Sequence, residues 1–364
     1  MYIYLALIPV IIFGSFIATK KDKFSYLLPI IILLSIVAGF RAETVGIDTI
    51  AYISKLECIA NGKPELAYGL ESGFKLFAKL ILKINNSSSF FFTVVALLTN
   101  LFIIRRFWDF RYKASILSMV LCYYTCFWGF TLNITRQFLA ISIIFYFSKL
   151  LEKKEYVKFS MVVIICTIFF HKSSIICLSF IGADLLLWSK LSNKQRRVIG
   201  LGIMAIPIVF GYAIKYLFAK YVKYFDVLSF NIGFMVLFKI VFFVFSLIVS
   251  RKVLLPINSS NDNYQEYRMR IAPIVYYPIG LLLSVIGYFF SFMDRIGFYF
   301  LIFECIYFGM ISKTKLNMKG IIYNHKVAKD NAIIFSIIIV LLIGYNFIMD
   351  LLGNGQGIVP YNFV

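Results

Sequence analysis

Long apolar runs, separated by short polar segments, dominate the chain. The runs are continuous and do not alternate between apolar and polar residues, so they predict membrane-spanning helices and not barrel strands. A helix needs about 20 apolar residues to cross a hydrocarbon layer of about 30 Å. By this measure the sequence predicts an all-α polytopic membrane protein with about twelve transmembrane helices. The spans lie at roughly 2–18, 24–40, 88–104, 114–131, 133–150, 157–171, 173–189, 198–216, 232–250, 271–291, 295–312 and 331–349.

Composition supports a membrane protein and excludes several other classes. Hydrophobic residues make up 61% of the chain and charged residues 15%, whereas a soluble domain has about 25% charged residues. The net charge of +20 does not indicate a nucleic-acid partner, because the cations lie mostly in short loops between spans. The six cysteines show neither a CxxC pair nor a zinc-ligand spacing. The first apolar run lacks a preceding basic region, so we interpret it as a retained helix and not a signal peptide.

The charges of the loops predict the topology. Roughly two-thirds of the Lys and Arg residues lie in one alternating set of loops, at 20–23, 105–113, 149–158, 190–197, 251–270 and 313–329. Cytoplasmic loops carry an excess of Lys and Arg, so this set is predicted to face the cytoplasm. Both chain termini then lie outside, and residues 1–364 form a single integral membrane domain.

The largest predicted outer loop is 41–87. Apolar residues three or four positions apart in its second half, beside a charged stripe, predict an amphipathic helix lying at the membrane interface. The stripe is Glu71, Lys75, Lys79 and Lys83. Glu71 and Lys75 also have the spacing of a helical ion pair. The outer tail, 350–364, is Gly-rich and has no Lys or Arg, which is typical of a flexible end.

Polar side chains cluster where several spans meet the predicted outer side. They are Arg41 and Asp48 after the second span, Asn133, Arg136 and Gln137 at the start of the fifth, His171 and Lys172 at the start of the seventh, and Asp294, Arg295 and Tyr299 at the start of the eleventh. Asn133, Arg136 and Gln137 have the spacing of one helical face. A helix N-terminus is partially positive, so cations placed there oppose the dipole unless an anion lies among them.

Each cluster also has a structural interpretation. Arg136 could pair with a carboxylate that holds helices together, and Asp294 and Arg295 could form a local pair. Because all the clusters lie on one predicted side, a shared anionic ligand is favoured. Three further ionisable residues lie within predicted spans, where they either form an ion pair or line a cavity: Asp184, Lys239 and Glu304.

The order of the motifs resembles the Wzy-type O-antigen polymerases, specifically the EpsG-like exopolysaccharide polymerase family. The matching pieces are Arg41, VGIDT at 45–49 with Tyr52, ESGF at 71–74, NITRQ at 133–137, FHKSS at 170–174, DR at 294–295 with Tyr299, and VPY at 359–361. The resemblance implies a GT-C-like membrane glycosyltransferase in the bacterial inner membrane, acting in lipopolysaccharide or exopolysaccharide biosynthesis. Its donor and acceptor would be oligosaccharide repeat units linked to undecaprenyl pyrophosphate at the periplasmic face. A chain-length regulator would be a further partner, and no cofactor is implied.

The implied chemistry matches the residue types at these motifs. A pyrophosphate leaving group needs fixed positive charge, and the guanidinium fork suits phosphate oxygens. We therefore assign the clamp to Arg41, Arg136 and Arg295, with Lys172 as a weaker member. His171 and Asp48, and after them Glu71, are the candidates for the group that accepts the proton of the sugar hydroxyl. Asn133, Gln137 and Tyr299 are assigned to hydrogen bonds with the sugars. The outer loops lack a DxD-like acidic pair, so no divalent metal is expected.

Two other functions compete with this interpretation. A lipid-linked glycan flippase or other transporter would suit the number of spans, but a transporter usually has polar groups along both halves of its path and internal repeats. A membrane O-acyltransferase could use His171 on a sugar hydroxyl, but it should also have a polar cluster on the cytoplasmic side for its acyl donor.

Overall fold

The computed structural model describes residues 1–188, 234–254, 264–287, 291–313 and 325–364. Every regular element in these ranges is helical, which confirms the predicted all-α class. The first ten α-helices are α1 (Tyr2–Lys21), α2 (Leu28–Gly39), α3 (Thr49–Ala60), α4 (Ser72–Ile84), α5 (Ser88–Asp109), α6 (Ile116–Tyr123), α7 (Gly129–Thr131), α8 (Thr135–Phe147), α9 (Lys149–Glu152) and α10 (Tyr156–Phe169). Later in the chain come α11 (Ser179–Trp188), α12 (Phe234–Leu254), α13 (Tyr264–Gly287), α14 (Ser291–Leu301), α15 (Phe303–Lys313) and α16 (His325–Gly353).

Several of the helical stretches can cross a membrane. Five have both the length and the hydropathy for it: Tyr2–Lys21, Ser88–Asp109, Arg268–Gly287, Met293–Lys313 and Ser336–Gly353. Four shorter apolar stretches accompany them, at Phe24–Gly39, Ile116–Thr131, Tyr156–Phe169 and Val236–Ile248. These helices indicate a multi-pass membrane protein. The expected span at 198–216 lies outside the described residues, so the total of about twelve stays a prediction, as does the GT-C-like fold.

The chain divides into two compact units. The first comprises Met1–Ser148, Met161–Ile175 and Cys305–Val364, and the second comprises Lys149–Ser160 and Ile176–Glu304.

Buried charges of the second unit form ion pairs. Lys239 Nζ lies 2.9 Å from one carboxylate oxygen of Glu304, which is fully buried. An Nη2 atom of Arg268 lies 2.8 Å from Asp184, whose carboxylate also accepts a hydrogen bond from Tyr156. A charge in an apolar interior is costly unless it is paired, and these contacts provide the partner. For Asp184, Lys239 and Glu304, the structure therefore favours pairing, the first of the two alternatives that the sequence left open.

In the first unit, close packing and a chain of side-chain hydrogen bonds hold helices α2, α5 and α6 together. A Cβ at Gly39 of α2 would lie 2.8 Å from the Cα of Thr93 on α5, so these two helices are in near-backbone contact. Asn100 of α5 donates to Ser35 of α2 at 3.0 Å and accepts from the Tyr123 hydroxyl of α6 at 2.7 Å. Small residues and interhelical hydrogen bonds are the usual means of association for helices in a membrane.

One end of the first unit collects residues of the positively charged loop set. Arg111 pairs with Asp22 at 2.9 Å, the Tyr112 hydroxyl donates to the same carboxylate at 2.6 Å, and Lys313 donates to the Arg111 carbonyl at 2.8 Å. The hydrogen bonds from Tyr112 and then Arg111 lower the pKa of Asp22. Three loops that the charge pattern assigned to one side of the membrane thus meet in space.

The predicted amphipathic helix is present as α4, although it is shorter than the apolar spacing suggested. Its buried face consists of Gly73, Phe74, Ala78, Ile81 and Leu82. Leu66 lies before the helix in a 3₁₀ turn, and Leu66 and Ile84 are both exposed. The buried face packs in a hydrophobic cluster with residues of α3, α5 and α8. The same loop contains α3, which the apolar spacing did not predict.

The C-terminal segment 354–364 packs against the loop that follows α2. Five hydrogen bonds join them or fix the segment to α1: Ala42 N–H to Asn362 O (2.8 Å), Val364 N–H to Phe40 O (3.0 Å), Gly46 N–H to Gly357 O (2.7 Å), Ile47 N–H to Gln356 O (3.3 Å) and Tyr4 OH to Ile358 O (2.7 Å). These contacts argue against a flexible end, the structural alternative that composition left open for this segment. Its backbone groups find partners in the loop that follows α2.

Candidate functional site

Polar groups from several segments meet around Arg136, in the first turn of α8. Its Nη1 donates to a carboxylate oxygen of Glu71 and, at 3.0 Å, to the carbonyl of Gly69. Its Nε donates to the Tyr52 hydroxyl at 3.1 Å. The guanidinium also lies 5.8 Å from the ring centroids of Tyr52 and Phe74, within the range of a cation–π contact. Nη2 makes no hydrogen bond with any residue that the structure describes.

Glu71 lies between two donors. One oxygen binds Arg136, and the other accepts from the backbone N–H of Lys172 at 3.3 Å. The side chains of Arg136 and Glu71 are 15% and 9% exposed, so the pair lies near the surface but is partly desolvated. Charge-assisted hydrogen bonds of this kind are stronger than neutral ones. The carboxylate turns to Arg136 in place of Lys75, with which the sequence suggested an ion pair.

Gly73 brings the Glu71 segment against Lys172. A Cβ at residue 73 would lie 2.4 Å from the Cα of Phe169, which is closer than real Cβ contacts allow. Helix α4 can therefore approach the end of α10 only because residue 73 has no side chain. Phe77 packs edge-on against Phe170 at 5.7 Å between ring centroids and fixes the same approach. These contacts give a structural reason for Gly73 in the ESGF motif and for Phe170 in the FHKSS motif.

His171 is oriented by Ser173. The backbone N–H of Ser173 donates to Nδ1 at 3.3 Å, and the Ser173 hydroxyl oxygen lies 2.7 Å from the same nitrogen. A backbone N–H can only donate, so Nδ1 acts as the acceptor and a neutral ring carries its proton on Nε2. In this tautomer Nε2 is a hydrogen-bond donor. The geometry suits donation to a ligand oxygen better than proton abstraction.

Asp48 lies on the same side of α3 as Tyr52. The two residues are four positions apart, and the Tyr52 backbone N–H donates to the Asp48 carbonyl at 3.0 Å. The Asp48 backbone N–H faces Asn133 Oδ1 at 3.4 Å. Its side chain is half-buried, and the carboxylate makes no hydrogen bond or ion pair within the described part of the chain. Asp48 is thus connected through Asn133 to the segment just before α8, and Tyr52, one turn further along α3, contacts Arg136.

Asn133 connects this loop to the C-terminal segment. Helix α8 begins at Thr135, so Asn133 precedes the helix and does not share a helical face with Arg136 and Gln137. Its Nδ2 donates to the Gln356 backbone carbonyl at 2.8 Å and to the Gln356 side-chain oxygen at 2.9 Å. Gly46, at φ 94°, lets the loop come this close, because a Cβ there would lie 2.9 Å from Asn133 Oδ1.

Arg41 is only 3% exposed and is held by the protein itself. It donates to the Thr49 hydroxyl at 3.2 Å, to the Leu132 carbonyl at 3.1 Å and to the Ala38 carbonyl, and it lies 4.1 Å above the Phe92 ring. Burial lowers the pKa of Arg41 to about 10, so it remains charged near neutral pH. The contacts tie the end of α2 to the loop before α8. Binding of substrate by Arg41 stays a prediction.

The remaining candidates are distributed as follows. Arg295 and Tyr299 lie in the second unit, on α14, where Arg295 is exposed and Tyr299 is 2% exposed. The neighbouring Asp294 accepts a hydrogen bond from Ser284 at 3.2 Å. Gln137, in the first unit, is buried at 1% exposure.

Two residues of the first-unit site were not assigned a role from the sequence. Tyr52 was noted within the motif pattern, and its spacing of four from Asp48 on a helix could have shown that both face the site. Gln356 gave no local signal, because its contact depends on the return of the chain from a distant segment.

A protein-family model matches almost the whole chain. The model of the EpsG family matches residues 24–363. No curated protein and no solved structure matches the chain. Together with the apolar helices, this match indicates a polysaccharide polymerase-type function in a multi-pass membrane protein. The chain belongs to the EpsG family.

Proposed function

We propose that this protein joins oligosaccharide repeat units carried on undecaprenyl pyrophosphate, at the periplasmic face of the bacterial inner membrane. The observation that carries the proposal is the contact of Arg136 with Glu71, whose carboxylate also binds the Lys172 backbone N–H. His171 precedes Lys172 in the chain, and Asp48 is linked through Asn133 to the segment before α8. All five come from segments that the charge alternation assigns to the outer side. A site that combines a cation fork with an uncommitted carboxylate suits a sugar transfer that releases a phosphate.

The reaction needs charge stabilisation on one side of the sugar and a proton acceptor on the other. The acceptor hydroxyl attacks the anomeric carbon of the donor, and the bond from that carbon to the phosphate oxygen breaks. The bonding electrons leave with the lipid pyrophosphate, whose added charge Arg136 and Lys172 would bind. Arg136 still has its Nη2 donors available among the described residues, and Lys172 is exposed.

Asp48 is the proton acceptor that the geometry supports best. Its carboxylate is half-buried and is not engaged by other residues in the described part of the chain. His171, which accepts at Nδ1, would instead donate from Nε2 to a sugar or phosphate oxygen. The proton of the acceptor hydroxyl would pass to Asp48 as the new glycosidic bond forms. Arg41 would fix the loop that carries Asp48, and Arg295, in the second unit, stays a separate candidate for phosphate binding.

We still propose that sugars are bound by Asn133, Gln137 and Tyr299, but the role of Asn133 changes. All three side chains are buried, at 4%, 1% and 2% exposure. Asn133 is also engaged by Gln356. We therefore propose that Asn133 acts mainly by positioning the Asp48 loop.

A deletion strain tests the proposal. A polymerase deletion should leave single repeat units on the lipid carrier or on the finished surface glycan, with no longer ladder. Complementation with the wild-type gene should restore the ladder, whereas Asp48→Asn at equal membrane abundance should lower turnover by about 100-fold or more, the usual contribution of a general base. Disappearance of all surface glycan with repeat units trapped inside would contradict a polymerase and favour the flippase. Full activity in Asp48→Asn would remove Asp48 from the mechanism.

A further inference from the structure

We infer that Glu71 is a built-in anion that occupies Arg136 until a phosphate group of the substrate replaces it. The inference rests on the proposed function for the identity of the ligand. The anion site itself rests on the contacts of Arg136. Glu71 marks its position, because its carboxylate lies between the Arg136 guanidinium and the Lys172 backbone N–H. A phosphate oxygen in that place would accept from the same two donors.

The present pairing uses only part of the guanidinium. Glu71 contacts Nη1, while Nε binds Tyr52 and Nη2 makes no hydrogen bond with the residues that the structure describes. A carboxylate can engage an arginine through two parallel hydrogen bonds, and so can a phosphate. Glu71 makes one such contact, so a phosphate that bridges Nη1 and Nη2 would gain a hydrogen bond that Glu71 does not make. The geometry therefore allows a ligand to outcompete the internal carboxylate.

The exposure of the Arg136–Glu71 pair and the backbone conformation of Glu71 are also compatible with replacement of Glu71 by a ligand. The Arg136–Glu71 pair is near the surface, and the neighbouring Gly69 and Lys172 are exposed. Glu71 itself is extended, at φ −63° and ψ 146°, and precedes the first residue of α4. Its side chain can therefore swing away while Gly73 keeps the helix in place. Once displaced, the carboxylate no longer cancels the charge of Arg136, which is then fully available to the leaving group.

Competition of this kind lowers the apparent affinity for the ligand. If Glu71 holds Arg136 in about nine-tenths of the molecules, release of the carboxylate should tighten anion binding about 10-fold. Glu71→Gln removes the competitor at nearly constant size. Glu71→Asp keeps the charge but shortens the side chain by one methylene, so it should give a smaller gain. A purely long-range charge effect would instead leave Glu71→Asp equal to the wild type.

A double-mutant cycle on the purified full-length protein tests the exchange. The probe is inorganic pyrophosphate, titrated by calorimetry into the wild type, Glu71→Gln, Arg136→Gln and the double variant. Glu71→Gln should bind about 10-fold more tightly than the wild type, and it should give little gain in the Arg136→Gln background, where there is no guanidinium to release. Equal gains in both backgrounds, or no gain in either, would refute the exchange. Glu43→Gln, in the neighbouring loop, is the matched control for loss of one negative charge.

Further experiments identify the source of the phosphate group and test the exchange independently of the proposed function. Undecaprenyl pyrophosphate in detergent should show the same cycle with higher affinity than inorganic pyrophosphate if the lipid carrier is the source, and the same affinity if the phosphate alone is recognised. The binding cycle needs no turnover. A non-additive cycle without polymer formation from lipid-linked repeat units would contradict the proposed polymerase and keep the anion exchange. Polymer formation with an additive cycle would contradict only the exchange. Glu71→Asp provides the comparison if Glu71→Gln elutes as aggregated protein.

Discussion

Replacing Arg136 by lysine separates a phosphate clamp from a residue that only holds the fold together. The change keeps one positive charge for Glu71 but removes the fork and the hydrogen bonds to Tyr52 and the Gly69 carbonyl. A lysine ammonium is a point charge and cannot bridge two phosphate oxygens in the same plane. We therefore expect Arg136→Lys to be folded but poorly active.

The magnitude follows from the contacts that are lost. A hydrogen bond to a charged group contributes about 1.5–3 kcal/mol, and a factor of ten corresponds to about 1.4 kcal/mol. Loss of one fork contact in the transition state should thus lower turnover by about 10- to 150-fold. The lost hydrogen bonds to the Tyr52 hydroxyl and the Gly69 carbonyl also come from the charged guanidinium, so each contributes about 1.5–3 kcal/mol to stability. Membrane abundance should therefore fall as well, and activity is compared per molecule.

Removing both charges gives the matched control. Arg136→Ala alone leaves the Glu71 carboxylate without its guanidinium, which should lower abundance, since breaking a partly buried pair is destabilising. The double variant Arg136→Met and Glu71→Gln should recover abundance, because a neutral pair has no unpaired charge to solvate. Its activity per molecule should remain lost if Arg136 binds phosphate.

The assay compares repeat-unit ladder length with membrane abundance for the wild type and the three variants. Full activity per molecule in Arg136→Lys would refute bidentate binding. Recovery of both abundance and activity in the neutral double variant would show that Arg136 serves only to pair with Glu71.

Three further predictions test the supports of the site and its orientation. Gly73→Ala should destabilise the protein by about 1–3 kcal/mol through overpacking against the α10 end, seen as a lower unfolding temperature, whereas Gly182→Ala, with nothing within 4 Å of the added Cβ, should not. Gln356→Ala should lower turnover about 5-fold by removing one acceptor of Asn133, and Gln356→Glu, which keeps that acceptor, should remain near wild type. Cys58, the one cysteine of the six that is not buried, should react with an impermeant thiol reagent in intact spheroplasts, and reaction only after lysis would reverse the predicted topology.

Local patterns were sufficient to predict most of the apolar helices that the structure describes, but not the short helix α3, and they did not predict which residues pair. Apolar runs located the helices because every span must be apolar over its length. Loop charges grouped Asp22 and Arg111 with Lys313, and the structure brings them together. The partner of Arg136, by contrast, lies 65 positions away. No helical spacing encodes such a contact, because it depends on how α4 packs against α10.

Arg41 also shows that the local sequence does not reveal what a cation binds. A cation at the exit of an apolar run has the same sequence pattern whether it binds a ligand or the protein. Its contacts with the Leu132 carbonyl and the Phe92 ring come from segments more than forty residues away. The contacts of the C-terminal segment could not be predicted for a similar reason, since Gly-rich composition describes the freedom of the isolated chain and not the hydrogen bonds it forms after folding.

The first unit has two clusters of charged residues, and they differ in how exposed their side chains are. This difference distinguishes charges that only mark a side of the membrane from charges that could bind a ligand. At the end with Asp22, Arg111 and Lys313, the Asp22 side chain is 51% exposed and that of Arg111 28%, so the charges are largely solvated and their pairing is worth little. Around Arg136 the charges are 9–15% exposed, and the guanidinium has donors that the described residues do not use. A partly desolvated cation with spare donors costs free energy in the empty protein. A ligand anion that engaged the unused donors would recover part of that cost, and this difference in exposure, rather than the number of cations, is why we assign the candidate site to Arg136 and not to the cluster at Asp22.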